Sequence, residues 1–177
     1  MPQWGRRCLL YGLLAALLSG CSGPSRDDTD RGTQLCLPRG DGYMPLSVEL
    51  ATTPEQRNKG LQGRESLGRR SGMLFLYGQP RSPDNGFWMY RTMIPLSLAW
   101  LDREGQVLGL QEMRPCSASD SSECPRYTAG VTHQAALEVN AGLFQQLGVK
   151  DGRRIQVAAG AADNPCGRRR SLASLFD

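Results

Sequence analysis

Glu138 and Asn140 are the residues of this chain best placed to do chemistry in an apolar setting. They alternate with Leu137 and Val139, so a strand here carries the carboxylate and the amide on one face and the aliphatic pair on the other. Arg64 closes an earlier helical motif, and Trp88, Arg91 and Thr92 lie close together in a later one. A guanidinium can grip a carboxylate through two parallel hydrogen bonds, and such a pair is costly to bury unless it is fully satisfied. One reading is therefore structural: Arg64 or Arg91 bonds Glu138 to fix the fold, and Asn140 caps the helix that follows. The other is a ligand cleft, with Trp88 as platform and Glu138 or an arginine as the contact. A carboxylate such as Glu138 or Glu112 could also be a general base, but catalysis needs a second positioned group that the sequence does not name.

Other chemistries leave no trace. His133 is the only histidine, so paired-imidazole metal sites are excluded, and it reads as a structural or exposed residue at the start of a strand. No Gly-x-Ser-x-Gly nucleophile turn occurs. Gly40-Asp41-Gly42 is too short for a phosphate loop and follows no strand. Met73, Met89, Met93 and Met113 read as core fillers rather than copper ligands. The sequence implies no metal and no cofactor.

The N-terminus gives an address. Arg6 and Arg7 precede an apolar run from Cys8 to Leu18, and Leu18-Ser19-Gly20-Cys21 resembles a bacterial lipobox. The run is far short of the roughly 20 apolar residues that span a bilayer. It reads as a cleaved signal over residues 1–20, leaving Cys21 to carry acyl chains that hold the protein on a membrane. Ser22 rather than Asp after that cysteine resembles the pattern of outer-membrane sorting, with the domain facing the periplasm. Removing 20 of the 177 residues leaves 157, which suits one domain. Losing Arg6 and Arg7 reduces 21 basic residues to 19, against 17 acidic. That balance offers no footprint for nucleic acid.

Cys8 leaves with the signal and Cys21 is acylated, so Cys36, Cys116, Cys124 and Cys166 remain. In an oxidising compartment an even set suggests disulfides, with three pairings open. Cys116 and Cys124 flank a short polar stretch that closes easily, which would leave Cys36 and Cys166 to tie the ends of the domain together.

The elements that must position the polar set are mostly β. Leu46, Val48 and Leu50 alternate with polar or small residues, as do Ile94, Leu96, Leu98 and Trp100. Asp102 to Gly105 is a turn between the latter strand and Gln106–Met113. Met73 to Tyr77 is a continuous apolar run, as in a strand buried on both faces. Phe87–Tyr90, Ala135–Val139 and Ile155–Ala158 complete the set. Thr53-Pro54-Glu55-Gln56 forms a capping box for a helix reaching Gln62, and a second helix runs from Ala141 to Leu147. The expected fold is mainly β, a sandwich or barrel-like arrangement, with two short helices. Residues 21–42 read as acylated cysteine and flexible tether, 43–160 as the domain and 161–177 as a poorly ordered basic tail.

Five segments in fixed order carry a family likeness: Glu55–Arg64, Gly72–Leu76, Phe87–Leu96, Leu137–Gly142 and Leu147–Gly152. Together they resemble the bacterial and archaeal domain of unknown function 192 family. The resemblance implies a compact β-sandwich with short helices and no established activity. Its usual Ile-Pro-Leu-Asp motif ends here in Ser97, so any metal or base role of that aspartate is lost, while Arg91 keeps a donor where lysine or asparagine is usual. The expected function is a non-catalytic binding or accessory module on the envelope, contacting a glycan or another envelope protein. The alternative is a small envelope enzyme with a carboxylate base.

Overall fold

The computed structural model describes residues 32–177. The segment read as a signal peptide, Cys21 and the stretch read as tether as far as residue 31 lie outside the described residues. Eight strands form one mixed sheet, and its order interleaves early and late parts of the chain. They are β1 (Thr33–Arg39), β2 (Gly42–Ala51), β3 (Ser71–Arg81), β5 (Leu96–Leu101), β6 (Val107–Met113), β8 (His133–Asn140), β9 (Gln156–Ala158) and β10 (Arg169–Arg170). The order across the sheet is β10-β9-β1-β2-β3-β8-β5-β6. Two further strands, β4 (Gly86–Trp88) and β7 (Arg126–Thr128), pair as a separate ribbon. The fold is thus mainly β with two short helices, and the sheet does not close into a barrel.

All neighbours in the large sheet are antiparallel except β2 and β3, which run parallel. A parallel step needs a crossover, and helix α1 (Pro54–Lys59) supplies it. The capping box forms as its sequence implies: Thr53 Oγ1 accepts from the Gln56 N–H, and the Gln56 side chain accepts from the Thr53 N–H. The helix stops at Lys59, short of Gln62, because Gly60 takes a positive φ of 48° and its N–H turns back to the Gln56 carbonyl.

Alternation along the central strands builds two cores. One face packs Leu46, Val48, Leu74, Leu137 and Val139 against Leu143, Phe144 and Leu147 of helix α2 (Leu143–Leu147). The other gathers Ala51, Met73, Phe75, Leu96, Leu98, Trp100 and Ala136 with Leu61, Met89 and Met113 from outside the central strands. The unbroken Met73–Leu76 run follows directly, since both sides of β3 meet apolar partners. Met93 departs from the core assignment and is 52% exposed in the loop before β5.

Both ends of the domain extend beyond their expected limits. The segment read as tether contains β1, whose Leu35 and Leu37 are fully buried and pair with β2. The segment read as a loose tail contains β10 and the fully buried Leu172, and Cys166 bonds to Cys36. A polar stretch is ordered here by one covalent bridge, a two-residue strand pairing and the scattered apolar residues Leu172, Leu175 and Phe176, which show no periodic pattern. The second bridge joins Cys116 and Cys124, so both pairings agree with the simplest assignment.

The two bridges close chain segments of 130 and 8 residues. Loop-closure entropy then assigns about 5 kcal/mol to the long bridge and about 2.5 to the short one. Replacing Cys36 and Cys166 together by alanine should lower the urea midpoint roughly twice as far as replacing Cys116 and Cys124, measured on purified protein at equal m-value.

Candidate functional site

Glu49, Met73, Glu138 and Leu98 form one row across β2, β3, β8 and β5. Strands lie about 4.8 Å apart, so Met73 separates the two carboxylates. Arg64 takes the outer one. Its Nη1 and Nη2 donate to Glu49 Oε1 and Oε2, both at 2.6 Å, and this hydrogen bonding holds Glu49 below its usual carboxylate range. Arg91 lies over the Tyr90 ring at 5.0 Å. The expected Arg64–Glu138 or Arg91–Glu138 pair therefore does not form, because the row brings Glu49 within Arg64's reach.

Asn140 also departs from its expected role. Helix α2 begins at Leu143 with Gly142 as its cap, in the left-handed region, while Asn140 Nδ2 donates to the Leu67 and Gly68 carbonyls. It pins the loop after α1 to the sheet. Arg91 is the only non-glycine among the described residues with positive φ, at 55°, a conformation that costs an ordinary side chain roughly 1–2 kcal/mol. Its amide donates to the Cys116 carbonyl and its own carbonyl accepts from Gly63. The strained turn is thus clamped between the disulfide loop and the end of the α1 motif.

Glu138 is left 4% exposed, with no ion-pair or hydrogen-bond partner among the described residues. It faces a small hollow of about 20 Å³, room for one water-sized group, lined also by Arg57, Asn58, Phe75, Phe87, Trp88 and Thr92. Burial alone pushes its carboxyl up to about 8, so at neutral pH it is mostly protonated and can donate as well as accept a hydrogen bond. Trp88, Thr92 and Glu138 thus line one hollow. Arg64, Arg91 and Asn140 act instead as braces around them.

Beyond the hollow lies a wider cleft lined by Tyr77, Arg81, Gly86, Phe87, Trp88 and Arg126, with Arg57 and Asn58 shared by both. Arg57 and Arg81 both lie over the Tyr77 ring, at 5.2 and 5.3 Å, and Arg126 lies over Trp88 at 4.5 Å. Trp88 is a platform, but for an arginine. Sequence reading missed Tyr77, Arg57, Arg81 and Arg126, since they are brought together only by the β4–β7 pairing of Trp88 with Arg126 and the irregular end of β3. His133 is structural: it is 3% exposed, 4.7 Å from the Trp100 ring and hydrogen-bonded to the Val131 carbonyl. Burial holds its pKa below the usual value. Glu112 lies with Ser97 on the α2 face of the sheet, opposite Glu138.

Residues 37–157 match the domain of unknown function 192 family, described as "Uncharacterized ACR". The chain belongs to that family. No curated protein matches it. Among solved structures, a Sinorhizobium meliloti protein described as a candidate transcription regulator is 30% identical, covering 71% of this chain and 92% of its own, with a TM-score of 0.63. A Novosphingobium aromaticivorans protein of unknown function is 28% identical over 70% of this chain and 83% of its own, with a TM-score of 0.58. Ser97 is the residue that the motif resemblance sets where an aspartate is usual. Its hydroxyl is fully buried, donates to Glu112 and accepts from the Gly142 N–H at 2.8 Å, so this position anchors the start of α2 and does not face Glu138.

The lone carboxyl reverses the sign expected of an ion pair. Below its ordinary value of 4.5, Glu138 is protonated in both folded and unfolded chains. Between 4.5 and about 8 the folded state keeps a proton that the unfolded state releases, so stability falls as pH rises and levels off above that range. Glu138→Gln removes this dependence. From pH 4.5 to pH 7 the parent should lose on the order of 3 kcal/mol relative to the variant, read from paired denaturant titrations. A variant less stable than the parent at pH 7 would mean that Glu138 has a counter-charge.

Proposed function

We propose that this protein is a non-catalytic binding module held on the cell envelope by lipid at Cys21, on the outer membrane facing the periplasm. The lipobox-like N-terminus supports the address, and two formed disulfides fit an oxidising compartment. The observation that carries the binding reading is Glu138: a buried carboxyl without a partner, opening onto a hollow beneath Trp88 and Thr92. A fold that needed only stability would place an aliphatic residue there, because burying an unpaired polar group costs free energy. Retaining the carboxyl is accounted for by a ligand whose hydroxyl or amine tip enters the hollow and bonds Glu138. The regulator description of the Sinorhizobium meliloti protein is not carried over, since lipid at Cys21 would hold this chain outside the cytoplasm.

A second reading, an envelope enzyme with Glu138 as general acid–base, has the raised pKa in its favour. Against it, the hollow's nucleophile candidates are the Thr92 hydroxyl and the amine of Lys59, which is exposed and so lacks the burial that activates a lysine, and Glu112 is on the wrong face of the sheet.

Full-length protein purified from its own envelope should carry a small polar molecule, seen by native mass spectrometry and as density beside Trp88. Glu138→Leu should fold and lose it. The molecule should be recovered unchanged after incubation; conversion that depends on Glu138 would favour the enzyme. Parent protein that emerges bare, with water alone at Glu138, would overturn the binding reading. Separately, Cys21→Ala should move the protein from the membrane pellet to the soluble periplasmic fraction, and a variant that stays in the pellet would exclude lipid anchoring.

A further inference from the structure

The cleft outside the Glu138 hollow gathers like charges that the rest of the fold leaves unneutralised. The ion pairs among the described residues are Arg64–Glu49 and Arg103–Asp177, so within that set Arg57, Arg81 and Arg126 have no carboxylate partner. Asp84 is the one acidic side chain in the lining. Like charges lining one cleft repel one another, and an anion between them turns that repulsion into attraction. Their cleft is nevertheless concave, with adjoining lobes of about 330 and 520 Å³ that share Tyr77, Arg81, Phe87 and Arg126. That is the size range of small-ligand sites.

The arginines are also held in place. Arg57 Nη1 donates to the Thr52 and Leu76 carbonyls at 2.5 and 2.9 Å while its plane lies on Tyr77. Arg81 stacks on the same ring and Arg126 on Trp88. Stacking occupies the guanidinium faces and leaves their edge N–H groups to bond a ligand, and this edge presentation suits planar or tetrahedral oxyanions. Fixing the side chains beforehand removes ordering entropy from the binding step.

We propose that this cleft recognises an oxyanion, phosphate or carboxylate, on a small ligand, with Arg81 and Arg126 as the principal contacts. The proposal rests on the binding-module reading and names the ligand's chemical class: its anionic part lies across the arginines and a neutral polar tip reaches toward Glu138.

Pyrophosphate and citrate are the probes, titrated calorimetrically into detergent-solubilised full-length protein at low salt. Both should bind, with affinity falling as salt rises. Arg81→Gln and Arg126→Gln should each weaken binding at least tenfold with the melting temperature unchanged, whereas Arg168→Gln, at the far end of the sheet, should bind as the parent does. Parent-like binding by the Arg81 and Arg126 variants, or no binding by the parent, overturns the proposal. Retention on phosphatidylglycerol vesicles, competed by pyrophosphate and lost in the same variants, would support the oxyanion site with a lipid headgroup as its source. Retention of a single-stranded oligonucleotide that neither probe competes would overturn it. If the arginine variants behave as the parent while protein from the envelope still carries a molecule at Glu138, the anion proposal falls and the binding module stands.

Discussion

Burial of one sheet on both faces is the constraint on which the rest of this structure depends. It makes the Gly72–Leu76 stretch of β3 apolar, and the Ala135–Val139 stretch of β8 apart from Glu138, and gives the domain two cores in place of one. It also makes any ionisable group on the central strands expensive. Glu49, whose side chain is 42% exposed, is neutralised by a two-point grip from Arg64. Glu138 lies two strands away, across Met73, and is beyond that reach. The difference between a brace and a candidate site is therefore two strand spacings.

What surrounds Glu138 is not the sheet alone. The β4–β7 ribbon carries Trp88 and Arg126 over the second core, and the loop after it turns through Arg91 in a strained conformation. The Cys116 backbone holds that turn from one side and Gly63 from the other, while Asn140 secures the loop at Leu67 and Gly68. The residues that frame the hollow thus come from separated parts of the chain, each tied by backbone hydrogen bonds or by a disulfide. Such an arrangement keeps a carboxyl-floored hollow, walled by aromatic rings on one side and polar side chains of the α1 motif on the other, open without a ligand to hold it.

Much of the fold was legible because period-two alternation, a capping box and a continuous apolar run are local signals. The strand through Leu46, the hairpin at Asp102–Gly105 and the Thr53 cap all appear where those signals fall. The ends were illegible for a physical reason: β1 is buried as a short continuous run with no alternation, and the C-terminal segment is held by a disulfide, a two-residue strand and a few scattered apolar residues, Leu172, Leu175 and Phe176. In the site, strand alternation correctly placed Glu138 and Asn140 on one face. Partner choice was not readable, because Arg64's selection of Glu49 depends on a parallel register between β2 and β3 that no local pattern encodes. The cleft arginines were invisible for the same reason: their grouping around Tyr77 and Trp88 is wholly tertiary.

The Cys36–Cys166 bridge has a mechanical side. Drawn apart by its two ends, the chain can shed β1 only as far as Cys36 before tension crosses the sulfur bridge to Cys166 and leaves through the C-terminal segment. The chain enclosed between them, with the second core, most of the first and the whole cleft, lies outside that line of force. A protein fastened at one terminus to a moving surface and tugged at the other would strain at its rim and keep its binding face in register.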